Sequence, residues 1–154
     1  MKSIESSIKQ SKFKNEHHKM VINLFYTASW LEVQHQHLIK PYGITMQQYN
    51  ILRILRGQKG QPLSVNDLIS RMLDQNSNAS RLVDKLYQKK LVDRSTCPKD
   101  RRQVDVRITE TGLDLLKEID EPMNALKSLA CGISEKEAAL VNDILDRIRS
   151  HQDE

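Results

Sequence analysis

The sequence predicts a mostly α-helical fold that carries one small β-hairpin. Three features of its 154 residues point there. Apolar side chains recur at steps of three and four through most of the chain, the spacing that lines up one face of an α-helix. The step shortens to two in one region only, across residues 91–95 and Val104–Ile108. Several apolar stretches open on Ser or Thr followed three residues later by Gln, Asp or Glu, an arrangement in which side chains and backbone at a helix start satisfy each other's hydrogen bonds.

From Asn15 to about residue 39, Val21, Leu24, Phe25, Ala28, Leu31 and Leu38 repeat at helical spacing, and neither Gly nor Pro occurs before Pro41-Tyr42-Gly43. One long helix with a hard stop follows. Thr45, paired with Gln48, opens TMQQYNILRILRGQ, with Tyr49, Leu52 and Leu55 as its stripe and Gly57 as its end. Ser64 and Asp67 open a short helix with Val65, Leu68, Ile69 and Met72 on one face. After Asp74-Gln75-Asn76 another helix buries Ala79, Leu82, Val83 and Leu86 and runs to Lys89 or Lys90. In the hairpin, Val104, Val106 and Ile108 alternate with Asp105 and Arg107, and the connecting TCPKDRRQ makes a long basic tip. Thr109 caps a helix through Leu116, Ile119, Met123, Leu126 and Ala130, which Pro122 is expected to bend and Cys131-Gly132 to end. Ser134 and Glu137 open the last helix, with Leu140, Val141, Ile144, Leu145 and Ile148 on one stripe. Two short helices joined by a tight turn and followed by a hairpin make a winged helix-turn-helix, here residues 45–108. The flanking helices, 15–40 and 109–150, carry apolar stripes that so small a unit cannot cover, and residues 1–154 read as a single unit with dimerisation helices at both ends.

A chain of this length has space for one domain and not for two enzyme domains. With 38% hydrophobic and 29% charged residues it reads as soluble and globular. No apolar run approaches the roughly 20 residues needed to span a bilayer. The polar start MKSIESSIKQSKFK has no apolar core of a signal peptide, so a cytoplasmic location without membrane contact is expected. Cys97 and Cys131 form no CxxC pair and are expected to stay reduced. The net charge of +4 conceals a segregation: residues 76–107 hold nine Lys/Arg against four Asp, whereas residues 108–154 hold five basic against eleven acidic side chains. A basic middle on an acidic scaffold suits a face that meets a polyanion.

The stretch LISRMLDQNSNASRLVDKLYQKKLVDRSTCPKDRRQVDVRITETG narrows this further. Its RLVDKL core at residues 81–86, the LVDR leading into the hairpin, the D-x-R at Asp100-Arg101-Arg102 and the R-I-T-E-T-G exit at residues 107–112 resemble the DNA-binding segment of the MarR (multiple antibiotic resistance regulator) family. The resemblance extends over most of the chain, because the long flanking helices stand where that family places its dimerisation helices. Leu73 departs from it, standing in the turn where small residues are usual, as does the Asn-rich QNSNAS before the recognition helix.

With Ala79, Leu82, Val83 and Leu86 turned inward, Ser77, Asn78, Arg81 and Lys85 remain on the outer face of the recognition helix. Arg81 suits guanine O6/N7 and Asn78 adenine N6/N7, while Ser77 and Lys85 suit phosphates. Lys99, Arg101 and Arg102 at the hairpin tip match an arm that reaches the neighbouring minor groove or phosphates. The resemblance implies that Arg102 makes the inserted contact and that Asp100 holds the wing's geometry. It also implies a small-molecule pocket beside the first two helices, where Trp30, His35, Tyr42 and Tyr49 would receive a small aromatic or phenolic effector, although each alone also suits core packing.

His35 and His37 stand two apart on a helix and cannot face one ligand, so no metal site is expected. There is no Gly-rich phosphate loop, no GxSxG and no HExxH, so neither a cofactor nor an enzymatic activity is expected. The expectation is a sequence-specific regulator of transcription that binds duplex DNA, a ligand-responsive repressor acting as a homodimer on a pseudo-palindromic operator. The alternative is a winged helix that docks on protein without binding DNA.

Overall fold

The computed structural model describes residues 2–74, 78–96, 103–127 and 132–150. Their elements are α1 (Ile4–Ile8), α2 (Glu16–Ile39), a short 3-10 turn (Lys40–Tyr42), α3 (Met46–Gly57), β1 (Leu63–Ser64), α4 (Val65–Arg71), α5 (Ala79–Gln88), β2 (Val92–Thr96), β3 (Val104–Ile108), α6 (Glu110–Lys127) and α7 (Glu135–Ser150). The strands form one antiparallel sheet in the order β1-β3-β2. Val92 pairs with Ile108, Arg94 with Val106 and Thr96 with Val104, while Leu63 pairs with Val106 from the other side. This is a mostly α winged helix-turn-helix, with α4 and α5 as the helix pair and β2–β3 as the wing.

Local chemistry fixes most helix starts. Thr45 Oγ1 accepts the Gln48 N–H at 3.2 Å and Gln48 Oε1 accepts the Thr45 N–H at 3.0 Å, a reciprocal cap that also satisfies a buried Gln. Ser134 and Glu137 repeat it, at 3.3 and 2.7 Å, and the Ser134 N–H holds the Glu137 carboxyl below its ordinary range. Ser64 and Asp67 complete only half of the expected box. Ser64 Oγ accepts the Asp67 N–H, but the shorter Asp side chain takes the Ser64 hydroxyl at 2.7 Å. Asn15 caps α2 through His18 N–H at 2.9 Å.

The core lies within the winged helix and the start of α6. Ile51, Leu52, Leu68, Leu86, Val92, Val106 and Leu116 are fully buried. Arg56 on α3 and Asp120 on α6 close beside it through a two-pronged ion pair of 2.7 and 3.1 Å, which raises the Arg56 pKa. The long α2 buries only Ile39, and α7 buries nothing.

Some expectations shift. The recognition helix ends at Gln88 rather than at Lys89 or Lys90, and the wing begins at Val92 instead of residue 91. Lys90 takes a left-handed φ of 59°, and the N–H groups of Lys90 and Leu91 return to the carbonyls of Tyr87 and Leu86. The short α1 and β1 were not expected. Ser3 caps α1, and a Glu5–Lys19 ion pair ties it to α2, holding the Glu5 carboxyl down to about 2. Ser77, Cys97, Lys99, Asp100, Arg101, Arg102, Ala130 and Cys131 lie outside the described residues, and Leu126 lies where only the backbone is described.

Where the recognition helix leaves and α6 begins, the chain crosses itself closely. Leu91 O accepts the Thr109 N–H at 3.2 Å, Thr109 Oγ1 donates to Lys90 O at 2.8 Å, and the same oxygen accepts the Gly112 N–H at 3.1 Å. A Cβ at Gly112 would stand 2.3 Å from Leu91 O and 2.8 Å from the Ile108 side chain. The T-E-T-G run thus has a steric cause. Gly112→Ala should lower stability by about 2–3 kcal/mol through forced displacement of backbone. Lys90→Gly, which relieves a left-handed side chain, should raise it by about 0.5–1 kcal/mol. Denaturant unfolding of the two variants reads both signs.

Candidate nucleic-acid interface

Helix α5 is amphipathic because Ala79, Val83 and Leu86 fall on one side at steps of three and four, and all three are buried. The opposite side is left to Arg81, Asp84, Lys85 and Gln88, all exposed. This exposed side is what a two-helix unit offers to a major groove. Asn78 stands at its start, where its Oδ1 accepts the Arg81 N–H at 3.0 Å. That oxygen is one of the two groups an Asn needs to pair with adenine N6/N7, so in this conformation Asn78 serves as the helix cap with one lone pair of that oxygen engaged.

The wing stands beside α5. Arg94 on β2 forms an ion pair with Asp84 of α5, and its guanidinium lies 5.4 Å from the centre of the Tyr87 ring. Nothing in the sequence assigns these three residues a role, since spacing along one helix says nothing about a partner on a strand. Ser77 and the tip residues Lys99, Asp100, Arg101 and Arg102 fall outside the described residues, so the structure brings together Asn78, Arg81 and Lys85 from the DNA-facing candidates.

The pocket candidates separate. A cavity of about 530 Å³ opens between α2, α3, α6 and the turn after α4, lined among others by Ala28, Leu31, His35, Tyr49, Arg53 and Leu73. His35 and Tyr49 share it. Burial raises the Tyr49 pKa, and the Arg53 guanidinium lies 5.7 Å from its ring centre. Trp30 is not among the lining residues, because positions one or two apart on a helix do not share a face and the lining is set by Ala28, Leu31 and His35. Tyr42 has a different task. Pro122 within α6 has no N–H to give to the carbonyl four residues back, at Glu118, and the Tyr42 hydroxyl donates to that oxygen instead, at 3.3 Å.

The family model described as "MarR family" matches residues 44–104, which span α3 to the start of β3. The HTH-type transcriptional regulator MhqR of Bacillus subtilis (strain 168) is 30% identical over 111 residues, covering 71% of this chain and 75% of that protein. The chain belongs to the MarR family. The transcriptional repressor MprA of Escherichia coli (strain K12) is 25% identical over 118 residues, 76% of this chain and 67% of that one. In fold, the organohalide-sensing regulator RdhR-CbdbA1625, solved with 2,4-dichlorophenol bound, superposes with a TM-score of 0.79 at 16% identity, covering 92% of this chain and 86% of that one. As a MarR-family protein this chain is a DNA-binding regulator of transcription, which decides between the two functions left open by its sequence. Among the described residues no helix is long and apolar enough to cross a membrane.

On the exposed side of α5, Arg81 carries a fork that suits a base edge, and it is proposed to read one. Arg81→Ala should cost roughly 1–3 kcal/mol on the cognate site and relax preference at a single base position, with little change on scrambled DNA. Selection of bound sequences from a random pool, wild type against variant, reads that position directly.

Proposed function

We propose that this regulator is a ligand-responsive repressor that acts as a homodimer on a pseudo-palindromic operator. The observation that carries the dimer is the apolar surface left on the arms. Phe25 on α2 is 74% exposed and Leu140 on α7 is 58% exposed, with Val21, Val141 and Ile148 exposed beside them. Large side chains in that number, on two helices that bury almost nothing against their own chain, fit a self-complementary interface. A dimer repeats α5 about a two-fold axis, so the DNA it matches has two half-sites about 10 bp apart or a multiple of that. Residues 15–40 and 109–150 then serve as the dimerisation helices. The two wings extend the contact outward, with Lys99, Arg101 and Arg102 toward the DNA, Arg102 entering the minor groove, and Asp100 shaping the tip. Repression has the support of the MprA likeness.

The cavity beside His35, Tyr49 and Arg53 suits a small aromatic or phenolic effector, in line with the chlorophenol held by the fold neighbour. It touches both the dimerisation arm and the turn that leads to α5, so an occupant there biases the spacing of the two recognition helices. DNA must then weaken the effector by the factor with which the effector weakens DNA, a symmetry that calorimetry on free and DNA-bound protein measures.

Sedimentation at micromolar concentration should show a dimer that buries more than about 2,000 Å². Phe25→Glu should yield folded monomers and abolish protection of paired half-sites in footprinting. A wild-type monomer that protects one isolated half-site at full affinity would rule out the dimer.

A further inference from the structure

The ion pair between α5 and β2 has an unusual place. Asp84 is 55% exposed and Arg94 36%, while Tyr87, which Arg94 overlies, is 50% exposed. Pairs so open to water add little to stability. Asp84 also shares the outward side of α5 with Arg81, three residues before it, and Gln88, four residues after it. A carboxylate on the face that meets a polyanion is unfavourable by its charge alone. Its presence there calls for a use other than attraction to DNA or stability of the fold.

We propose that Asp84, Tyr87 and Arg94 form a clamp that fixes the angle of the wing against the recognition helix, with Asp84 and Tyr87 as positioning residues for sequence-specific DNA binding. The wing is anchored at its base, where Leu91 meets Thr109 and Gly112. β3 is held to the body at Val106, by its pairing with Leu63 and by burial, whereas β2 is an edge strand of the sheet and is exposed beyond Val92, so the outer strand needs a hold of its own. Arg94 lies three residues further out and is paired in the sheet with Val106, so a hold on Arg94 is a hold on both strands. A guanidinium is suited to this, because one of its N–H groups, at Nη1, donates to the carboxylate while its carbon lies over the ring, and the two contacts restrict different rotations. With two anchors the wing and α5 present their contacts in one geometry, and only DNA that offers groove and phosphates in that geometry satisfies both together. The inference rests on the family's DNA binding and not on the dimer or the effector.

The experiment is an anisotropy titration of the full-length protein with a selected operator and with scrambled duplex, each at several salt concentrations. Asp84→Asn removes a negative charge from the interface, so simple electrostatics requires tighter binding and a steeper salt dependence. The clamp requires the opposite on the operator, a loss of about tenfold, with scrambled DNA unchanged or bound slightly better. Arg94→Lys keeps the charge but not the fork or the flat face, and should lose a similar factor. The double variant should be no weaker than the worse of the two singles. Melting curves and sedimentation confirm that each variant is folded, and should Asp84→Asn not fold, Arg94→Lys alone gives the decisive comparison. Tighter operator binding by Asp84→Asn overturns the clamp, as does wild-type affinity in both single variants. So does a loss confined to one base position in Asp84→Asn and absent in Arg94→Lys, which would make Asp84 a direct reader of a base.

Discussion

The crossing of the chain at Leu91 and Gly112 is the constraint on which the rest of the molecule depends. The recognition helix ends there, the wing both leaves and returns there, and α6 starts there. Leu91 O has two neighbours to accommodate: the Thr109 N–H that it accepts and residue 112, which leaves no space for a side chain. Because Thr109 also donates to Lys90 O and caps the first turn of α6, the exit of the recognition helix and the entry of α6 are one hydrogen-bonded unit. The register of the wing, with Val92 opposite Ile108, follows from this closure. Farther along, Arg56 and Asp120 join α6 to α3. The position of α5 is therefore set relative to α6, and through α6 relative to the arms.

Energetically the chain divides unevenly. Apart from Ile39 at the end of α2, its fully buried side chains belong to the winged helix and the first half of α6, whereas α2 and α7 keep large apolar residues in water. Burial of apolar area is the main favourable contribution to folding and association alike, at roughly 25 cal/mol per Å². In the proposed homodimer, part of that contribution comes from covering these helical faces on association. The cavity lies on the boundary between the two regions, lined by residues of the arm, of α3 and of the turn before the recognition helix. An occupant there contacts both parts at once, which is the geometric requirement for a ligand to favour one relative position over another.

What the sequence disclosed, and what it did not, follows the range of the interactions. The Thr45–Gln48 and Ser134–Glu137 caps involve residues three apart and are readable from the letters alone. The inward side of α5 is equally plain from Ala79, Val83 and Leu86. Two residues of β1 are too few for an alternating pattern, and the five of α1 are too few to establish a helical repeat. Pairs such as Asp84–Arg94 and Arg56–Asp120 join residues that only the fold brings together, so their members read as ordinary surface charge. Asn78 was suited by chemistry to two tasks, a cap and a base contact, and local geometry gives its oxygen to the cap. The family resemblance places Trp30 with His35 in a pocket beside the first two helices. The helical repeat separates them, and with Pro122 in view the hydroxyl of Tyr42 has a carbonyl to satisfy that no sequence pattern announces.

In the proposed complex two copies of this chain grip one duplex through paired recognition helices and wings. Binding stoichiometry measured together with its salt dependence tests this most directly, using the full-length protein and an operator obtained by selection. Two chains per duplex are expected, with an affinity that falls with log salt by about 0.9 per phosphate contact, giving a slope of several units. One chain per duplex at saturation, or an affinity indifferent to salt, would contradict it.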